Sequence, residues 1–141
     1  MVPTRYPALA GLLAGLVTLG NLVVTYVHAW VDGGVTVVAG YYTATAWLSL
    51  FLVPLGTAVV GYAGGRASIG EPDLERTGLV CLAVGVGASL AAVGIALAVR
   101  PDSVGTGASS LMELAGFMLT VIRPVVVATV AAVAGAALVR N

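Results

Sequence analysis

The stretch PALAGLLAGLVTLGNLVVTYVHAW, Pro7 to Trp30, decides the fold class. It contains no Asp, Glu, Lys or Arg, and about 20 apolar residues in a helix are enough to cross a bilayer core. Three more stretches read the same way: Thr43 to Tyr62, Gly78 to Val99, and Leu111 to Val139, the last interrupted by Arg123 and Pro124. Four such spans use up most of the 141 residues. The expectation is an all-α polytopic membrane protein, a four-transmembrane-helix bundle forming one integral membrane domain over 1–141. Its helices fall at approximately 7–30, 40–63, 72–99 and 111–139.

Composition agrees. The chain is 60% hydrophobic and 9% charged, against about 25% charged in a soluble domain. Mean hydropathy is +1.07. A net charge of zero gives no basic face for nucleic acid. The first apolar run, about 20 residues, exceeds the 7–15 of a signal-peptide core, so it reads as a span and not as a cleaved leader. Cys81 is the lone cysteine and sits in the third span as a small apolar residue. The spacings that hold a metal are absent, and neither metal nor cofactor is expected.

All six cations are Arg. Arg5, Arg66, Arg76 and Arg140 fall at the start, in the second loop and at the end, which four spans place on one side. The positive-inside rule then puts both termini in the cytoplasm of a multi-pass cell-membrane protein. Trp30, Tyr41 and Tyr42 mark the outer interface, and Tyr6 and Tyr62 the inner one.

Local signals place the element ends. Asp32-Gly33-Gly34 is a turn, and Val35 to Ala39 reads equally as extended loop or as the start of the second helix. Pro54 withdraws a backbone donor from the Leu50 carbonyl. Pro72 with Asp73 and Glu75 opens the third helix. Ser110-x-x-Glu113 is a capping box for the fourth. Arg5 and Arg76, and likewise Pro54 and Pro124, recur at nearly one spacing, the pattern of a duplicated helical hairpin.

Inside the first span, Gly11, Ala14, Thr18, Asn21, Thr25, His28 and Asp32 alternate three- and four-residue steps and share one helix face. Every member is small or polar, so this face is meant for protein or water. The fourth span carries its own line, Glu113, Gly116, Thr120 and Arg123. Counting along both helices brings the two lines to the same outer depth. The candidate site is therefore an outward polar pocket made by Asn21, Thr25, His28, Asp32, Thr120 and Arg123. Arg123 could bind an anion there and His28 could exchange a proton. The competing reading is structural: Arg123 snorkels to the interface, and Thr and Asn bridge helices. Gly11-x-x-x-Gly15 and Gly61-x-x-x-Gly65 argue for close helix packing, within the chain or between subunits.

One His, no Lys and no nucleophile–base pair leave little to build a hydrolase or metal site from, and no enzymatic activity is expected. The functional expectation is a non-enzymatic membrane protein acting in assembly, as a homo-oligomer or with other membrane subunits, its other partner being the lipid bilayer. The alternative is a small transporter or channel using the pocket between the first and last helices.

Overall fold

The computed structural model describes residues 3–99 and 111–140. Among them the chain is entirely helical: α1 (Arg5–Val24), a single turn α2 (Val27–Trp30), α3 (Val35–Arg66), α4 (Leu74–Ala98) and α5 (Leu111–Ala137), closed by a 3-10 turn. Four of these helices are long and apolar enough to cross a membrane.

Size decides which face each helix buries. In lipid there is no hydrophobic gain from hiding a Leu, so association rests on close backbone approach and polar bridges. The interior accordingly holds Ala10, Ala14, Ala128, Ala132 and Ala136, while Leu12, Leu16, Leu55, Leu90 and Val130 point outward. Thr18, Thr57, Thr77, Cys81 and Ser89 are the largest side chains that are fully enclosed.

α1 lies along α4, and α3 along α5. Gly11 sits where a Cβ would meet the Cys81 carbonyl and the Gly85 nitrogen at 2.7 Å, and Gly15 is pressed against Ala88. One turn on, the hydroxyls of Thr18 and Ser89 are 3.2 Å apart. Thr18 already donates to the Ala14 carbonyl at 2.9 Å, so Ser89 is the donor between them. On the other pair, Gly61 and Gly65 back onto Ala132 and Ala136. Thr18 and Ser89 are 71 residues apart, and Gly61 and Ala132 have the same separation. Both glycine motifs are thus used between helices of one chain. α1 also touches α3 and α5, and α4 touches α5, whereas α3 and α4 hardly meet.

Two helix ends differ from the sequence expectation. The first helix stops at Val24, short of Trp30. The β-branched run Val23-Val24-Thr25 is a weak helix former, and the backbone there tightens, Thr25 N–H bonding the Leu22 carbonyl and Tyr26 N–H the Val23 carbonyl. The Thr25 hydroxyl also donates to the Leu22 carbonyl, at 2.5 Å. The second helix begins at Val35, so Val35 to Ala39 is helix and not loop. Its 32 residues reach about 48 Å, well beyond the roughly 30 Å of bilayer hydrocarbon.

α4 opens one residue after Asp73, whose carboxylate accepts from the Arg76 N–H at 3.0 Å, with Glu75 in the first turn. That is the start read from Pro72, Asp73 and Glu75, and the acid also complements the helix dipole. The capping box at Ser110 and the Glu113 side chain lie outside the described residues.

Candidate functional site

Where α1 ends, the bundle is not filled. Beyond Val24 the chain passes into the single turn of α2, which touches α3. The gap is a groove of about 980 Å³ between α1, α3 and α5. Many of its wall residues are exposed, among them Thr25, Tyr42, Trp47 and Arg123, so it is an open groove and not a sealed cavity.

The structure brings Asn21 and Thr25 of α1's stripe together with Thr120 and Arg123 of α5 on this groove. His28 and Asp32 are exposed and are not among its lining residues. α1 ends at Val24, and in α2 the buried residue is Val27 while His28 is exposed. The stripe therefore has three fates. Gly11, Ala14 and Thr18 are buried in helix packing, Asn21 and Thr25 reach the groove, and the last two members are exposed and off the groove.

The third wall was missed from sequence. α3 supplies Tyr42, Thr45, Ser49, Val53 and Pro54. Tyr42, Thr45 and Ser49 stand at steps of three and four, the same rule that exposed the α1 stripe, so the signal was present. Tyr42 also ties α3 to the end of α1 by donating to the Thr25 carbonyl at 3.3 Å.

Hydrogen bonding sets what the groove offers a guest. Thr45 donates to the Tyr41 carbonyl at 2.8 Å, Ser49 to Ala46 at 3.0 Å and Thr120 to Gly116 at 2.9 Å. Thr25 donates within α1 as described above. A hydroxyl has one proton, so these four groups face the groove as acceptors only. Asn21 and Arg123 are different, as are Tyr26, Thr43 and Trp47. None of these five makes a hydrogen bond or ion pair among the described residues, and all line the groove. Arg123 is also the sole charged side chain among its described lining residues. Arg123 pairs with none of Asn21, Thr25 and Asp32.

Among the described residues no three His, Cys, Asp or Glu side chains cluster as metal ligands. A second, shallow hollow, formed by Trp47, Leu48, Phe51, Leu52, Leu55 and Gly56, lies on one face of α3 and is apolar throughout. There Trp47 and Phe51 stack with centroids 5.6 Å apart. Comparison of the chain with protein-family models, with curated proteins and with solved structures yields no match.

Proposed function

We propose that the protein is a small non-enzymatic membrane protein that works through the groove between α1, α3 and α5, taking up a ligand as a small transporter or channel does. The observation that carries this reading is a charge unpaired among the described residues, Arg123, on one open groove beside the unpartnered amide of Asn21. Ionisable groups inside spans are costly and default to function. The lining offers hydroxyls, one amide, one indole N–H and one guanidinium, and no described carboxylate, thiol or imidazole from which to assemble acid–base or nucleophilic chemistry.

The test is thermal unfolding in neutral detergent against a graded panel of anionic, neutral and cationic amphiphiles and small solutes. A compound that binds only the folded state raises the midpoint. At least one member should do so in the wild type and fail with Ser49→Leu, which fills the groove. A panel without any shift would overturn the reading.

Assembly is the second reading, and one observation favours it. The glycine motifs are used internally, but α4 keeps a row of small residues uncovered: Ala83, Gly87, Ala91, Gly94 and Ala98 are all exposed at three- and four-residue steps. A Cβ at Gly87 or Gly94 would meet nothing within 4 Å. A stable dimer or larger complex in mild detergent, lost on Gly87→Leu, would support it.

Both termini are assigned to the cytoplasm from the Arg bias. In a Cys81→Ala background, cysteine at Ser68 should be protected from impermeant thiol reagents in whole cells and cysteine at Asp32 should label. The reverse pattern would invert the topology. We also infer a duplicated hairpin, since Thr18 with Ser89 and Gly61 with Ala132 meet at the same separation that relates Arg5 to Arg76. Parallel repeats of this kind are known in transporters.

A further inference from the structure

Resting on the groove being the working site, we propose that its ligand is an anionic amphiphile, with the acidic head on Arg123 and Asn21 and the apolar tail along α1, α3 and α5. Charge complementarity is the first argument. The described lining holds one guanidinium and no carboxylate beside it, so a negative charge complements it. Donor count is the second. The Thr25, Thr45, Ser49 and Thr120 hydroxyls have spent their protons on helix carbonyls, and Tyr42 has spent its proton on Thr25. Among the described residues, unspent donors remain on Arg123, Asn21, Tyr26, Thr43 and Trp47; of these only Arg123 is charged, and it presents its N–H groups in a planar fork suited to carboxylate or phosphate.

The third argument is the remainder of the wall. Leu22, Leu50, Val53 and Val127 line the same groove as Arg123, so an anion held there has apolar surface beside it. A small hydrated anion would leave that surface wet. A tail covers it, and the roughly 300–1,000 Å³ of ordinary ligand pockets includes the groove's volume. Tyr26, Tyr42 and Trp47 stand on the groove wall as well, aromatic types that settle at the membrane–water boundary. The acidic head has two possible sources, a phospholipid of the membrane or a free long-chain acid, and both carry the same anion-plus-tail chemistry.

Trp47 is a built-in reporter, because it lines the groove and the chain has two tryptophans. The experiment uses the full chain with Trp30→Phe in phosphatidylcholine nanodiscs. Tail-brominated phosphatidic acid, tail-brominated fatty acid and tail-brominated phosphatidylcholine are added at equal mole fraction, and Trp47 quenching is read. At least one anionic probe should occupy the groove about fivefold in preference to the neutral one, the ratio that one cationic contact supplies near a membrane surface. Which of the two wins identifies the source. Arg123→Gln should abolish the preference, and Arg66→Gln, at the other end of α3, should leave it intact.

Equal quenching by all three probes would overturn the proposal, as would a preference that survives Arg123→Gln. A preference erased by millimolar inorganic phosphate would assign the site to a soluble anion and overturn the amphiphile. These failures are separable from failure of the groove itself: a neutral or cationic member of the thermal panel that still loses its shift in Ser49→Leu leaves the groove as the working site and removes only the acidic ligand.

Discussion

Gly15→Ala is expected to destabilise the protein by about 1–3 kcal/mol, the usual cost of forcing one extra carbon into a packed interior. Gly20→Ala, in the same helix, is expected to stabilise it by about 0.5–1 kcal/mol, because Ala is the better helix former. The opposite signs follow from what each Cβ would meet. At Gly15 it strikes the Cβ and backbone of Ala88, whereas at Gly20 nothing lies within 4 Å. Gly61→Ala should behave like Gly15→Ala, because its Cβ runs into the Ala132 backbone, which cannot move aside as a flexible side chain would. Reversible unfolding in mixed micelles reads all three. Equal midpoints for Gly15→Ala and Gly20→Ala would mean that α1 does not approach α4 as closely as described.

Arg123→Leu is expected to leave stability within about 0.5 kcal/mol of wild type while abolishing the ligand-dependent rise in unfolding midpoint. A guanidinium paired to Asn21 or Thr25 would strand a partner when removed and cost about 1–3 kcal/mol. Here no partner exists to strand: Arg123 is exposed and unpaired among the described residues. Desolvation of the charge also disappears with the substitution, which offsets whatever packing is altered. The combination is what marks a binding residue. A loss of several kcal/mol with the ligand shift intact would reassign Arg123 to the scaffold.

The number and order of the long helices were legible because length and the absence of charge are the whole signal for a span. The buried part of the α1 face was legible too: Gly11, Ala14 and Thr18 are enclosed because in lipid the small face is the one that packs. What failed was continuity. Counting Asn21, Thr25, His28 and Asp32 onto one stripe assumes a straight helix, and Val23-Val24-Thr25 ends it. Whether a β-branched run breaks a helix depends on what lies beside it, which periodicity does not record. Val35 to Ala39 was undecidable for the same reason, since its residues suit strand, loop or lipid-exposed helix alike.

Of the candidate site, Asn21, Thr25, Thr120 and Arg123 were read from spacing and depth, and the structure puts them on one groove. The α3 wall was not read. Thr45 and Ser49 sit in a span whose Leu, Trp and Phe dominate every average, and single hydroxyls in spans are commonly absorbed by their own helix. They are absorbed here as well, each bonded to a carbonyl within its turn. Their contribution to the groove comes from the oxygen lone pairs left over, a property visible only once neighbours are placed.

The central claim is that water and ligand reach the groove while the rest of the bundle's interior stays dry. Cysteine at Ser49, Thr120, Thr57 or Val59, each in a Cys81→Ala background, can be tested in nanodiscs with a small water-soluble thiol reagent. Thr57 is fully enclosed, and Val59 is exposed on the outer face of α3, so they control for packing and for lipid. The account predicts fast modification at Ser49 and Thr120 and slow modification at Thr57 and Val59. Rates at Ser49 and Thr120 no faster than at Val59 would contradict it, because the groove would then be only another part of the lipid-facing surface.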